Sequence, residues 1–159
     1  MSAGVLWWSR TPITCAQLGY PGGALPVTGL TFAAAERVAR NVGGRLPTAE
    51  EWEAVASGSG RRFPWGEAEW TPRRANLRGS GHGHPLPAGS FPDGDTPDGL
   101  ADLAGNVWEW TCTRLADGGV VVVGGSYNSL PRYARCGYRN AVPPELVSPG
   151  IGLRVVRDR

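Results

Sequence analysis

Three cysteines, two histidines and a few carboxylates and serines carry whatever chemistry this 159-residue chain can do. His82 and His84, two apart in GHGHP, offer imidazoles to a zinc ion. No third ligand follows at a recognisable spacing, so a surface loop is expected. Cys15, Cys112 and Cys136 are odd in number and show no paired spacing, so they imply no disulfide framework. Cys136, alone among its neighbours, reads as a small hydrophobe. Ser126 in GGSY lacks the strand-to-helix turn of a nucleophile elbow, and GSGHGH lacks the strand–helix setting of a phosphate loop. No complete catalytic set emerges. What stands out is GGSYNSLPRYARCGYRN, residues 124–140, where glycines, a proline, arginines and tyrosines crowd together in neither a helical nor a strand pattern.

The elements that must position these residues are short. In LTFAAAERVARNVGG a helix starts at Thr31 and stops at Gly43-Gly44, with Ala35, Val38, Ala39 and Val42 on one stripe. Thr48-Ala-Glu-Glu51 is a capping box opening a second helix, with Trp52, Val55 and Ala56 on its buried face. Residues 61–100 are turn-rich, and a loop region of that length is expected to be functional or held by an ion. GNVWEW reads as a strand with Glu109 outward or paired, VVVVGGSY as a buried strand ending at a glycine pair, and IGLRVV as a closing strand. Early helices and late strands give an α+β class.

Composition narrows the function classes. Glycine and proline make up nearly a quarter of the chain, so turns outweigh long helices. All sixteen basic residues are arginine, yet the net charge is only +2, too small to argue for nucleic acid or a membrane surface. The last 28 residues set six arginines against Glu145 and Asp158, and are expected to be solvated or paired. No signal peptide or long apolar run is present, so the chain is expected to be cytoplasmic as given, or displayed on a phage or cell surface by other means.

RLPTAEEWEAVASG, FPWG, AGSFPDG, DGLADLAGNVWEWT, VVVGGSY and PPELVSPGIGLRVV, in that order over about residues 26–156, resemble the formylglycine-generating enzyme (sulfatase-modifying factor) domain family. The resemblance implies one domain, 1–159, with a C-type lectin fold of two short helices, twisted short strands and much irregular loop. Enzymes of this family oxidise a sulfatase cysteine to formylglycine with two cysteines that bind copper. Here those positions hold Ser129 and Ala134, and the loop between them is shorter. Copper(I) prefers thiolates and a serine hydroxyl does not ionise near neutral pH, so no copper and no catalytic residues are expected. The alternatives are a formylglycine-generating-type oxidoreductase, a redox protein using Cys136 in an unusual way, and a catalytically silent accessory domain.

The resemblance also implies cation sites. One would use the Asp102 and Glu109 side chains with the Gly105 and Val107 carbonyls, an all-oxygen set suited to a structural Ca²⁺. Both carboxylates could instead cap turns and pair with arginines. A second would use Asn76 and the Leu77 carbonyl, but RGSGHGHPLP offers no downstream carboxylate.

Within the family, the C-terminus is most similar to the variable proteins of diversity-generating retroelements, whose last segment is rewritten at adenines. Gly124, Gly125, Ser126, Pro131, Arg139, Pro144, Glu145, Gly152 and Arg154 match the framework, making 124–156 a candidate variable region. Between them stand Asn128, Ser129, Leu130, Tyr133, Tyr138, Asn140, Ala141, Val142, Leu146, Ser148, Pro149 and Gly150. None is a lysine, glutamate, glutamine, methionine or tryptophan, the types an adenine-mutated AAC codon excludes. With Tyr127 they form the expected ligand-binding surface. Its tyrosines would be rigid amphipathic contacts and its amides adaptable ones, while Leu130, Val142 and Leu146 could make an apolar patch. The expected partner is a protein or glycan, with neither nucleic acid nor membrane involved.

Overall fold

The computed structural model describes residues 6–159. Helix α1, Phe32–Asn41, begins where the Thr31 hydroxyl accepts the Ala34 N–H at 3.2 Å. It buries Phe32, Ala35, Val38 and Ala39. It ends into Gly43, and Gly44 then passes so close to the next element that a Cβ there would lie 2.7 Å from the Val156 carbonyl oxygen. Helix α2, Ala49–Ser57, carries the expected capping box, with the Glu51 N–H donating to the Thr48 hydroxyl and the Thr48 N–H to Glu51.

Among the described residues six strands follow in chain order: β1 (Leu6–Trp8), β2 (Trp108–Arg114), β3 (Val120–Val123), β4 (Arg139–Val142), β5 (Ile151–Gly152) and β6 (Val156–Asp158). The main sheet runs β4-β3-β2-β5, antiparallel except for the parallel β2–β5 pair. A separate two-stranded sheet pairs β1 with β6. The pleat of β3 divides the core. Val120 and Val122 pack with Trp110 and the α1 residues Phe32, Ala35 and Val38. Val121 and Val123 point the other way, to Trp52, Ala49 and Ala56 of α2 with Leu103 and Cys136. Each helix therefore covers one face of the same valine run.

Two expectations change. IGLRVV is not one closing strand: the chain leaves the main sheet after Gly152 and rejoins structure as β6 beside β1. Leu153 and Val155 still enter the α1-side core, while Arg154 between them turns inward. And Asn140, Ala141 and Val142, read as exchangeable, form with the framework residue Arg139 an edge strand in full register with β3.

The long 61–100 segment is held by two buried amides. Asn76 donates to the His84 carbonyl at 2.9 Å and to Asn106 Oδ1 at 3.0 Å. Asn106 in turn exchanges bonds with Leu86, accepting its N–H at 2.8 Å and donating to its carbonyl at 3.0 Å. Buried amides satisfied this fully fix a loop without any regular element.

Candidate ligand-binding surface

The Gly124–Gly125 pair ends β3 with both residues in left-handed conformation, φ 96° and 73°. A Cβ on Gly124 would come 2.8 Å from the Leu103 carbonyl oxygen, so only glycine lets the turn close against that loop. The Ser126 N–H then donates to the Ser129 hydroxyl at 2.9 Å, and the Asn128 N–H to the Ser126 hydroxyl at 3.2 Å. The Arg78 N–H donates to the Ser129 carbonyl at 2.9 Å, tying the turn to the long loop.

Ser129 and Ala134 flank one point. A Cβ built on Gly125 would meet Ser129 Cβ at 3.4 Å and Ala134 Cα at 3.6 Å. Both residues are buried, with Ser129 engaged in the turn and Ala134 in a small apolar cluster with Ala75, Leu77 and Ala104. Cys136 lies close in sequence but sits within the α2-side core, 2 % exposed, its N–H donating to the Arg62 carbonyl. Burial pushes its thiol up to about 11, so it is not a thiolate at neutral pH.

The expected contact residues divide by burial. Asn128, Leu130, Tyr138, Ala141, Leu146 and Pro149 are exposed, and Tyr127, Tyr133, Asn140, Val142 and Ser148 are half-buried. Ser129 and Gly150 are buried and shape the surface from beneath, contrary to their expected role as contacts. Val142 packs against the α1-side core, which removes it from the expected apolar patch.

Tyr133 and Tyr138 meet edge to face with ring centroids 4.9 Å apart, and Tyr138 lies 6.4 Å from the Trp108 ring. They line an open groove of about 520 Å³ whose other walls come from Arg61, Arg62, Arg132 and Arg135. Residue types and spacing do not single out these four, because separation in sequence hides that 61–62 and 132–138 share one wall.

Arg139 anchors β4 to α2 through Glu53 at 2.7 Å and Glu50 at 3.1 Å. The ionised form of Glu50 is favoured by the helix N-terminal backbone and by Arg139, which lowers its pKa.

The implied calcium set is arranged differently from a cation cage. Glu109 is fully buried, and Oε1 accepts from Arg154 Nε at 2.9 Å and from the Trp52 indole at 3.2 Å. Its Oε2 accepts from Arg154 Nη2 at 3.2 Å. The Gly105 carbonyl takes the Val107 N–H, and Asp102 Oδ2 takes the Gly89 N–H at 2.7 Å. A guanidinium already neutralises the carboxylate a cation would need, so the set does not fit Ca²⁺ as it stands. At the second implied site Asn76 Oδ1 accepts from Ser80 and the Leu77 carbonyl from the Ser80 N–H. Among the described residues no three His, Cys, Asp or Glu side chains cluster as metal ligands.

Comparison with known proteins places this geometry. Solved structures of the same fold include PvdO from Pseudomonas aeruginosa, TM-score 0.81 at 23 % identity over 96 % of this chain and 80 % of that one. They also include Treponema denticola variable protein 1, TM-score 0.80 at 18 % identity over 97 % and 84 %. The fold is thus the α+β C-type lectin fold of the formylglycine-generating type. Among sequence relatives, hercynine oxygenase of Mycolicibacterium smegmatis is 42 % identical over 95 residues, 57 % of this chain and 22 % of that protein. Inactive C-alpha-formylglycine-generating enzyme 2 of Bos taurus is 30 % identical over 94 % of this chain and 58 % of its own length. The chain spans less than two thirds of either relative. Residues 9–159 match the family described as the sulfatase-modifying factor enzyme 1-like domain, and the chain belongs to that family.

Proposed function

We propose that this chain is a non-enzymatic ligand-binding protein, a variable protein of a diversity-generating retroelement that presents residues 124–156 as its exchangeable surface. The observation that carries this reading is the pair Ser129 and Ala134. They are buried side by side against Gly125 where the family's enzymes are expected to hold two thiols, and the nearest cysteine is packed into the core. Around them the framework residues are anchored: Arg154 is buried on Glu109, Arg139 is paired with α2, and the Pro144 carbonyl accepts the Phe32 N–H. Between those anchors stand exposed residues such as Asn128, Leu130, Tyr138 and Ala141, whose replacement costs little, since exposed substitutions usually change stability by about 0.5 kcal/mol or less. Relatives whose names declare an inactive enzyme and a variable protein are in keeping with it.

The test is genetic. A reverse transcriptase gene and an adenine-rich near-copy of the segment encoding residues 124–156 are expected beside this gene. Isolates should differ at Asn128, Tyr133, Tyr138 and Asn140 while Gly124, Arg139 and Arg154 stay fixed. A neighbourhood with neither element, or an invariant segment, overturns the reading.

A second reading, an oxygenase or formylglycine-type oxidoreductase, is favoured by the 42 % identity to hercynine oxygenase. It requires a metal-dependent activity that this chain would show alone or with a further domain. Copper(I) bound tightly by the isolated chain would support it, and absence of such binding would remove it.

A further inference from the structure

The groove beside Tyr133 and Tyr138 has a charge balance that its neighbours do not satisfy. Glu50 and Glu53 are taken by Arg139, Glu69 by Arg62 at 2.9 Å, and the Glu67 carboxylate by the Arg62 N–H. Arg61 turns to the last carbonyls of α2, donating to Val55 and Ala56. Arg132 lies over the Tyr133 ring at 4.8 Å and donates to that residue's hydroxyl at 2.8 Å. Arg135 is exposed. Among the described residues neither Arg132 nor Arg135 has a carboxylate within 4.0 Å. Two guanidinium forks thus face an open, partly aromatic groove with donors left over, since a guanidinium has five N–H groups and no acceptor.

We propose that this groove binds an acidic peptide segment, with ligand carboxylates on Arg132 and Arg135 and an apolar side chain against Tyr133 and Tyr138. This deepens the ligand-binding reading above and rests on it. Two features favour peptide carboxylate over neutral glycan, and a third limits recognition to side chains. The charged lining donates hydrogen bonds but accepts none, which suits an acceptor-only group such as a carboxylate and not a hydroxyl that must also donate. One face of Tyr133 already carries Arg132, and its ring meets Tyr138 at 66°, which reduces the flat aromatic surface open to a sugar ring. The neighbouring edge strand β4 is not poised to recruit a backbone, because the Ala141 N–H is already capped by Asn140 Oδ1 at 2.9 Å. Recognition therefore falls to side chains. One wall, Arg61 and Arg62, lies outside the 124–156 segment, so the groove joins a fixed edge to an exchangeable one.

The test is fluorescence anisotropy of the purified chain with a labelled glutamate–tyrosine copolymer, against a glutamine–tyrosine copolymer and maltotetraose, a neutral tetrasaccharide. Saturable binding of the first, weakened by salt and by about tenfold or more in an Arg132→Gln/Arg135→Gln variant that melts like the parent, is the expected result. Equal binding of the glutamine copolymer, no binding of the glutamate copolymer, unchanged affinity in the variant, or tighter binding of the tetrasaccharide overturns it. Variation across isolates in the coding segment is read separately, so failure here leaves the retroelement reading to its own test.

Discussion

Arg154 and Glu109 form a fully buried ion pair, Nε to Oε1 at 2.9 Å, that joins the last framework arginine to the centre of β2. Arg154 also donates to the carbonyls of Ser9, Arg10 and Ala101, so one side chain ties the start of the chain, the long loop and the main sheet together. Removing one partner strands the other charge in the core. Arg154→Met should therefore cost about 3–5 kcal/mol in urea unfolding. Arg154→Met/Glu109→Gln should recover part of that loss, because the uncompensated charge is gone. A single variant as stable as the parent would show that the pair does not hold the fold.

The same pair bears on the calcium expectation. With both Glu109 oxygens engaged by Arg154, excess chelator is expected to leave the melting temperature unchanged, and added calcium should not raise it. A calcium-dependent rise that Asp102→Ala abolishes would show that a cation displaces Arg154.

Much of the fold was legible in the sequence because its signals were local. The Thr48–Glu51 capping box, the Thr31 start and the glycine pair after VVVV depend on residues within a few positions of one another. What was hidden was non-local. Nothing in IGLRVV says that Gly152 and Val156 belong to different sheets, since that follows from the partners β2 and β1 supplied by distant segments. The Tyr133 and Tyr138 contacts are legible as residue types, but the groove needs Arg61 and Arg62 from the turn after α2. Glu109 was foreseen as paired or metal-bound, and only its burial against Arg154 separates the two arrangements.

Cys136 gives the chemistry its simplest check. It is 2 % exposed with its thiol raised by burial to about 11, whereas Cys15 and Cys112 are half-buried. In native protein at about pH 8, Cys136 should resist a disulfide reagent and react only in urea, as mass mapping of labelled peptides would report. Fast native labelling of Cys136 would reopen its candidacy as a redox residue.

Asp102 predicts a pH dependence of stability. It is 6 % exposed, and burial raises its pKa above the ordinary carboxylate value, more than the Gly89 N–H and nearby Arg154 lower it. Glu109 and Asp95 add to the rise. For an acid whose folded pKa is raised, the folded state keeps the proton where the unfolded chain has released it. Its contribution to stability therefore falls as pH rises from about 4, the unfolded value, through the folded one, and above that the cost of the buried charge is complete. Asp102→Asn keeps an oxygen for the Gly89 N–H, and asparagine tolerates the left-handed φ of 59° at this position. The variant should match the parent near pH 4 and exceed it in stability at neutral pH, read as the difference between urea midpoints across that range. A variant that loses stability as pH rises relative to the parent would mean that the ionised carboxylate is required there, by Arg154 or by a bound cation.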